Sequence, residues 1–230
     1  MTELAPHPAK YSEPILDVIG KILISEQQRL ERRIRVFDPF AGTGLIHRLY
    51  EFGKILTFGY ELEPEWASYH DRTMVGDSLN VAMITGWFDV IATSCTYGNR
   101  MADHHVAKDA SKRMTYTHQL GRPLTENNSG AMPWGPVYRN FHINAWIEQT
   151  RILRPGGLFI LNVKDFYRTR TIKRTRVTER VEICQWHLDT LTDLGYTVEQ
   201  SIVVPVRGMR MGANHKKRMG HEMVYALRRK

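Results

Sequence analysis

Short apolar runs alternate with longer stretches of helical periodicity along most of this chain. Runs with the length and composition of strands lie at 34–38, 55–61, 73–77, 88–94 and 158–163. Apolar residues recur at helical intervals at 13–24, 137–153 and 178–195. Strands that alternate with helices predict a parallel α/β sheet. Two further strands, at 197–206 and 222–228, have no helix between them, which predicts an antiparallel hairpin at one edge.

At 230 residues the chain has the length of one ordinary domain with a sizeable core. No apolar run approaches the roughly 20 residues that a membrane-spanning helix needs. The first residues, Met1 to Leu4, lack the basic and then apolar pattern of a secretory signal. The two cysteines, Cys95 and Cys184, provide neither a disulfide framework nor a paired metal-binding spacing. These features predict a soluble cytoplasmic protein.

The net charge of +8 is distributed unevenly along the chain. Residues 1–164 carry 18 Lys and Arg against 17 Asp and Glu, whereas residues 165–230 carry 14 against 7. The basic residues of the last third cluster at 167–180 and 214–221. Such clusters suit a polyanion such as nucleic acid, although a solvated basic surface is the commoner explanation of a charge run.

The segment Asp-Pro-Phe-Ala-Gly-Thr-Gly, residues 38–44, follows the first predicted strand and precedes a helix. Gly42 and Gly44 permit a tight turn and let a ligand approach the backbone, and Asp38 places an anion at the carboxyl end of the strand. Ligands of open α/β sheets bind at that edge. Because the segment lacks the Lys-Ser/Thr ending of a phosphate-binding loop, nucleoside triphosphates are disfavoured. The segment also differs from the three-glycine dinucleotide pattern.

These residues resemble the S-adenosylmethionine-dependent DNA methyltransferases that act on exocyclic amino groups of adenine or cytosine. The resemblance covers most of the chain and is strongest at residues 38–44. It implies a Rossmann-like class I methyltransferase fold, in which a seven-stranded, mostly parallel sheet ends in an antiparallel C-terminal hairpin. It also implies a single domain spanning 1–230, S-adenosylmethionine as cofactor and DNA as partner.

The resemblance assigns the cofactor site to four places along the chain. Glu61, after the second strand, accepts hydrogen bonds from both ribose hydroxyls; Glu63 lies close to it in sequence, and we prefer Glu61. Asp77 binds the adenine amino group, with the backbone of Ser78 beside it. The complete predicted set is Lys10, Tyr11, Asp38, Phe40, Ala41, Gly42, Thr43, Gly44, Glu61, Asp77 and Ser78.

The fourth strand ends in Ser94-Cys95-Thr96-Tyr97, where the resembled family has Asp, Asn or Ser, then two prolines and an aromatic residue. The resemblance implies that the Ser94 hydroxyl and the Cys95 carbonyl accept hydrogen bonds from the target amine. The Tyr97 ring then stacks on a base flipped out of the helix. Serine at the first position favours N4 of cytosine over N6 of adenine.

The pair Cys95-Thr96 departs from the two prolines of the family and leaves other interpretations open. One alternative is a catalytically weakened relative that binds S-adenosylmethionine and DNA. A second is methylation of cytosine C5 with Cys95 as nucleophile, although no acid suited to protonating N3 is evident. A third is a small-molecule methyltransferase on the same scaffold. A metal site at His104, His105, His118 and Cys95 matches no common spacing, and we predict none.

The segment 98–136 has little periodicity and is a candidate target-recognition insertion, because a loop of this length in a compact domain is usually functional or disordered. Basic side chains in this insertion and in the last third of the chain are the candidate nucleic-acid contacts. They are Arg100, Arg170, Lys173, Arg174, Arg176, Lys216 and Lys217.

Overall fold

The strands build one large sheet and one small one. In the computed structural model, which describes residues 11–98, 115–206 and 219–230, the large sheet has seven strands in the order β3-β2-β1-β4-β5-β9-β8. The strands are β1 (Ile34–Asp38), β2 (Ile55–Glu61), β3 (Thr73–Val75), β4 (Phe88–Ser94), β5 (Leu153–Val163), β6 (Phe166–Ile172), β7 (Thr175–Val181), β8 (Tyr196–Pro205) and β9 (His221–Arg229). Strands β6 and β7 form the second, two-stranded sheet.

The first five strands of the large sheet run parallel, and β9 runs antiparallel to both β5 and β8. The sequence predictions of a mostly parallel seven-stranded sheet and of an antiparallel C-terminal hairpin are therefore confirmed. Parallel pairing places the carboxyl ends of β1, β2, β4 and β5 at one edge of the sheet. At that edge Ser94 is paired in register with Asn162 of β5.

Helices cover both faces of the large sheet. They are α1 (Glu13–Leu30), α2 (Pro64–Ala67), α3 (Tyr116–Leu120), α4 (Pro136–Ile152) and α5 (Ile183–Asp193), with 3-10 helices at Leu45–Phe52 and Ser129–Ala131. Alternate strand residues point to opposite faces, as strand geometry requires. Val36 thus joins the core beneath α1, whereas Phe37 joins the core beneath α4 and α5. Among the helices that the structure describes, none is both long and apolar enough to cross a bilayer.

The structure corrects three of the sequence predictions. The helix expected at 178–195 begins only at Ile183, because residues 175–181 pair with β6 instead. The helix expected after the glycine turn is a 3-10 helix, and the helix predicted at 13–24 continues to Leu30. Within the part of 98–136 that the structure describes, α3 and a short 3-10 helix lie among residues without regular helix or strand structure, as a long loop predicts.

A turn at Lys173-Arg174 connects the two strands of the small sheet. Both residues have positive φ angles, 46° and 70°, in the left-handed region that a two-residue type I′ hairpin turn requires at both central positions. From Thr169 to Thr178 the side chains that the structure describes are exposed. The hairpin therefore projects from the domain as a β-ribbon that packs against little else along most of its length.

A buried glutamate joins α1 to the last strand, β9, on the side of the large sheet away from the carboxyl ends of its parallel strands. Glu26 is only 3% exposed and accepts hydrogen bonds from Arg29 (2.7 Å) and from Arg228 of β9 (2.7 Å). Burial alone would raise its pKa, but the hydrogen bonds from Arg29 and Arg228 outweigh burial and hold the pKa at about 2. Glu26 is therefore ionised in the folded protein wherever the pH exceeds this value.

We expect Glu26→Gln to lower the free energy of unfolding by roughly 2 kcal/mol at pH 7, because it leaves Arg228 short of a buried anionic partner. A carboxylate with a lowered pKa stabilises above its ordinary pKa of 4.5 and loses that contribution as the pH falls towards 2. The difference in the free energy of unfolding between the wild type and Glu26→Gln, measured by urea unfolding, should therefore shrink as the pH falls from 4.5 towards 2. Glu13→Gln, on the same helix but with its side chain 68% exposed, is the control and should change little. Equal losses in both variants would contradict this account.

Candidate functional site at the carboxyl edge of the sheet

Asp38 lies at the centre of the carboxyl edge and is fully buried. Its Oδ1 accepts hydrogen bonds from Thr93 Oγ1 of β4 (2.7 Å) and from the Phe40 amide (3.0 Å). Its Oδ2 accepts one from Tyr11 Oη (2.9 Å). Burial raises the pKa of Asp38 to about 6, although these three donors act to lower it. One carboxylate thus fixes the end of β4, the glycine turn and the segment before α1 relative to one another.

The glycine turn packs closely against the end of β2. The amide of Ala41 donates to the Tyr60 carbonyl (2.8 Å), and a Cβ at Gly59 would lie 2.6 Å from that of Ala41. Gly44 has a φ of 80°, and a Cβ there would lie 2.7 Å from His70. Only glycine fits at these positions, so the turn is held tightly against β2 and against His70.

The two acidic residues after β2 have different surroundings. Glu61 is 8% exposed and accepts the backbone amides of Gly42 (3.0 Å) and Glu63 (2.9 Å). Burial raises the pKa of Glu61 to about 7, with a further contribution from the charge of Glu63. Since a carboxylate has about four lone-pair positions, Glu61 can accept further hydrogen bonds from a ligand.

Glu63 is fully buried and its carboxylate is occupied by protein donors. It accepts Arg122 Nη2 (2.7 Å), the amide of Thr125 (2.9 Å), Thr125 Oγ1 (2.9 Å) and Asn128 Nδ2 (2.7 Å). Despite the opposing effect of burial, these donors hold its pKa below the ordinary value. Glu63 therefore fastens the segment 122–128 to the end of β2. This arrangement favours Glu61, and not Glu63, as the carboxylate open to a ligand.

Asp77 and Ser78 follow β3 beside Glu61, because the amide of Gly76 donates to the Glu61 carbonyl (3.0 Å). Asp77 is half-buried, and its Oδ1 accepts the amide of Leu79 (2.8 Å). The carbonyl of Ser78 accepts Gln149 Nε2 of α4 (2.8 Å). The structure thus brings Asp77 to the same edge as Asp38 and Glu61, as the sequence predicted.

Ser94 and Tyr97 lie together at the end of β4. The Ser94 hydroxyl is 3.5 Å from that of Tyr97, which is 3.1 Å from Glu222 Oε2 of β9 and 3.4 Å from Asn162 Oδ1 of β5. Neither Glu222 nor Asn162 is among the residues predicted from the sequence. Asn162 lies beside Ser94 because β4 and β5 pair in register at that position. The antiparallel pairing of β5 with β9, in which Asn162 is opposite Val224, brings Glu222 to the same edge.

A hydrogen-bonded chain of buried residues anchors the backbone between Ser94 and Tyr97. Trp146 Nε1 donates to His187 Nδ1 (3.0 Å), and burial lowers the pKa of His187 well below its ordinary value, so the proton of the neutral ring lies on Nε2. His187 Nε2 donates to the hydroxyl of Tyr138 (3.0 Å), which in turn donates to the Thr96 carbonyl (2.5 Å). No sequence pattern indicates this chain, because the two residues of each hydrogen-bonded pair are more than 40 positions apart.

Side-chain contacts hold the same loop from two further directions. Thr96 Oγ1 donates to Ser129 Oγ (3.0 Å), and the Trp134 amide donates to the Gly98 carbonyl (2.8 Å). Cys95 Sγ lies 3.5 Å from His187 Nε2 and is 2% exposed. Residues 129–134 therefore lie against the loop that follows β4, as expected of a segment that borders the site.

Cys95 does not have the properties of a nucleophile. Its burial raises the pKa of the thiol to about 12, and neither Tyr138 nor His187 provides a positive charge to stabilise a thiolate. A nucleophilic cysteine needs an exposed, electropositive surrounding, and among the described residues Cys95 has only the neutral partners Tyr138 and His187 and is 2% exposed. The geometry thus opposes the alternative in which Cys95 attacks cytosine C6.

Four of the predicted residues lie outside the described residues: Lys10, Arg100, Lys216 and Lys217. The cations Arg170, Lys173, Arg174 and Arg176 lie on the β6–β7 hairpin, which begins three residues after β5 ends. Among them, Arg170 forms an ion pair with Glu179 (2.7 Å). Within 11–98, 115–206 and 219–230, no group of His, Cys, Asp and Glu side chains is arranged to hold a metal ion.

A cavity of about 390 Å³ lies beside this edge and is lined by residues of the segment 124–137. It contains none of the predicted cofactor residues. Two of its lining residues, Thr125 and Asn128, are those that hold Glu63. The cavity thus belongs to the segment that borders the site. The polar side chains of the candidate site itself, Asp38, Glu61 and Ser94, lie outside this cavity at the carboxyl edge of the sheet.

Solved structures with a similar fold include S-adenosylmethionine-dependent methyltransferases and a [4+2]-cyclase, SpnF, with a TM-score of 0.51 at 12% identity over 93% of this chain and 82% of that one. One of the methyltransferases, from Methanosarcina mazei, has a TM-score of 0.54 at 10% identity over 90% of this chain and 96% of that one. Another, from Clostridium acetobutylicum, has a TM-score of 0.51 at 11% identity over 91% and 90%. The chain has the Rossmann-like fold of these methyltransferases.

A geranyl diphosphate methyltransferase in complex with GPP and sinefungin shares the fold, with a TM-score of 0.54 at 10% identity over 93% of this chain and 79% of that one. No family model matches the sequence, and neither does any curated protein. At these identities the comparisons establish the Rossmann-like architecture alone. The chemistry has to be argued from the residues of the site.

We expect Tyr138→Phe to loosen the loop after Ser94, because it removes the hydroxyl that donates to the Thr96 carbonyl. The free energy of unfolding should fall by about 1 to 2 kcal/mol, and backbone amides at 96–98 should exchange faster in hydrogen-exchange mass spectrometry. Tyr196→Phe is the matched control, since Tyr196 is also fully buried and loses one hydrogen bond, to Thr150 (3.0 Å). The control should lower stability similarly and leave exchange at 96–98 unchanged. Equal exchange in both variants would show that Tyr138 does not anchor this loop.

Proposed function

We propose that this protein binds S-adenosylmethionine at the carboxyl edge of its sheet and methylates an exocyclic amino group of a DNA base. The N4 amine of cytosine is favoured over the N6 amine of adenine. The observation that carries the proposal is the position of the Ser94 hydroxyl, at the same edge as the glycine turn and Glu61, with its loop anchored by Tyr138.

The residues at this edge fit the cofactor. Glu61 accepts only backbone amides and would take further hydrogen bonds from the ribose hydroxyls. Gly42 and Gly44, which both have positive φ angles, would let the cofactor approach the backbone of the turn. Asp77 would accept a hydrogen bond from the adenine amino group. Asp38 acts indirectly, because its oxygens already hold Tyr11, Thr93 and the turn. When bound, the cofactor would supply an electrophilic methyl group on a positively charged sulfur.

The residues at the end of β4 suit an amine acceptor. The lone pair of an aromatic amine is delocalised into its ring, so the amine is a poor nucleophile. Two hydrogen bonds, one to Ser94 Oγ and one to the Cys95 carbonyl, would shift it towards tetrahedral geometry and direct the lone pair at the methyl group. Because the loop is anchored in advance, this arrangement costs little reorganisation when the base enters. The ring of Tyr97 would stack on the flipped base.

The β6–β7 hairpin is the proposed contact with DNA. Residues 166–181 carry six basic side chains against one acidic one, Glu179. With seven residues in each strand, the ribbon is about 23 Å long. A two-stranded ribbon fits the major groove of B-DNA, which is about 12 Å wide. Since β6 follows β5 after two intervening residues, the hairpin begins at the same edge as Ser94 and would bring DNA close to the site.

The decisive experiment is to incubate the protein with duplex DNA and methyl-labelled S-adenosylmethionine and to identify the modified nucleoside by mass spectrometry. We expect N4-methylcytosine, and we expect Ser94→Ala to form little of it while keeping its affinity for the cofactor in calorimetry. N6-methyladenine would change the base and retain the mechanism. Cofactor binding without any product would favour the weakened relative, and 5-methylcytosine would contradict the assignment of Ser94 and Cys95.

Neutralising the hairpin by changing Arg170, Lys173, Arg174 and Arg176 to Gln should weaken DNA binding. The slope of log Kd against log salt concentration should fall by about 3.6 if all four side chains contact phosphates. The control replaces four exposed cations away from the hairpin, Lys21, Arg33, Lys54 and Lys230, and changes the net charge by the same amount. Fluorescence anisotropy over a salt series measures both. Similar loss in both variants would mean that net charge, and not the hairpin, determines affinity.

A small-molecule methyltransferase is the second candidate, since the geranyl diphosphate methyltransferase shares the fold. A diphosphate substrate would also be attracted by a basic surface. This candidate predicts binding of the cofactor without affinity for DNA at moderate salt. The projecting, largely unpacked hairpin favours DNA, because a small substrate is usually enclosed in a pocket.

A further inference from the structure

Glu222 is an acidic side chain at the candidate site to which the proposed function assigns no role. It lies at the start of β9, and its side chain is 18% exposed. Its Oε2 is 3.1 Å from the Tyr97 hydroxyl, and its Oε1 is 3.7 Å from Lys164 Nζ. The Tyr97 hydroxyl therefore lies between Glu222 and the Ser94 hydroxyl and contacts both.

The hydrogen bonds of Tyr97 have a defined direction. Burial, followed by the charge of Glu222, raises the pKa of Tyr97 well above its ordinary value, so the hydroxyl keeps its proton. Of its three neighbours, Glu222 is the nearest and carries the charge, whereas Asn162 Oδ1 (3.4 Å) is a neutral acceptor. Since hydrogen bonds to ionised acceptors are roughly twice as strong as neutral ones, the Tyr97 proton points to Glu222.

The direction of this bond determines what Ser94 can do. With the Tyr97 proton committed to Glu222, the Tyr97 oxygen is an acceptor, and the Ser94 hydroxyl 3.5 Å away donates to it. The lone pairs of Ser94 are then directed to the substrate side. A serine whose proton was free to rotate would alternate between accepting from an amine and donating to it. A fixed donor direction removes this alternation.

We propose that Glu222 is a positioning residue that orients the chain Ser94–Tyr97–Glu222, so that Ser94 accepts a hydrogen bond from the target amine and passes its proton on. This inference rests on the proposed function. As the amine nitrogen forms its bond to the methyl carbon, it must release one proton. That proton moves to Ser94 Oγ while the Ser94 proton moves to Tyr97 and the Tyr97 proton to Glu222. The neutral Glu222 then returns the proton to solvent. The relay has reversed the two O–H directions, and rotation of the Ser94 and Tyr97 hydroxyls towards the recharged Glu222 restores the original order.

The kinetic test is Glu222→Gln, which keeps the shape of the side chain but allows it to donate to Tyr97 and reverse the chain. We expect kcat to fall by about 100-fold, with the Kd values for cofactor and DNA unchanged. In a Tyr97→Phe background, Glu222→Gln should cause no further loss, because its effect passes through the phenol. Glu199→Gln, on the neighbouring strand β8, is the control and should leave kcat unchanged. A full kcat in Glu222→Gln, or additive losses in the double variant, would overturn the inference.

A second readout in the free protein separates this inference from the proposed function. The 13Cζ resonance of Tyr97, assigned by its disappearance in Tyr97→Phe, should shift in Glu222→Gln and stay in place in Glu199→Gln. If it does not shift, the bond between Tyr97 and Glu222 is absent and the inference is wrong, even if the wild type methylates DNA. If it shifts and the wild type forms no methylated nucleoside, the chain is oriented as described, while the proposed function, and with it the role of Glu222 in methylation, is wrong.

Discussion

The buried carboxylate of Asp38 is the contact on which the geometry of the site depends. Removing a carboxylate from water is costly unless it is well hydrogen-bonded, and Asp38 accepts bonds from Thr93, Phe40 and Tyr11. These donors come from a neighbouring strand, from the glycine turn and from the segment before α1. They can satisfy the carboxylate together only if all three segments lie in one arrangement. The position of Ser94, the residue after Thr93, is set by the same contact.

The end of β2 shows how two similar acids acquire different functions from their surroundings. The carboxylate of Glu63 is filled by Arg122, Thr125 and Asn128 and ties the neighbouring segment to the sheet. Glu61 receives only backbone amides and keeps accepting capacity at the edge. Their spacing in the sequence could not separate them, because the donors to Glu63 lie about sixty positions away in the chain. The fastening at Glu63 also brings residues 122–128 beside the turn and so helps to enclose the edge.

The sequence was sufficient where a local pattern determines the structure. Strand β4 was predicted with its observed bounds, because 88–94 is a short, mostly apolar run. The glycine turn was located from its residues alone. The β6–β7 hairpin was missed, since its exposed, basic strands have neither an apolar face nor a glycine or asparagine at the turn, which is formed by Lys173 and Arg174. Glu222 was missed for a different reason. Its proximity to Tyr97 follows from the register of β9, and a sequence pattern carries no information on register between distant strands.

The loop after β4 bears on whether the chain is an enzyme or a weakened relative. Two prolines restrict a backbone through fixed φ angles, and Cys95 and Thr96 lack that restriction. Here the Thr96 carbonyl is held by Tyr138, the Thr96 hydroxyl by Ser129, and the next turn by Trp134. These hydrogen bonds come from residues outside the loop and restrain the same backbone. His187 and Trp146 fix the direction in which the Tyr138 hydroxyl donates. Unlike a proline ring, such an anchor depends on the packing of α4 and α5. With Cys95 and Thr96 in place of two prolines, the loop is held by contacts with the core and not by its own ring constraints. These contacts give the loop the fixed backbone that catalysis would require.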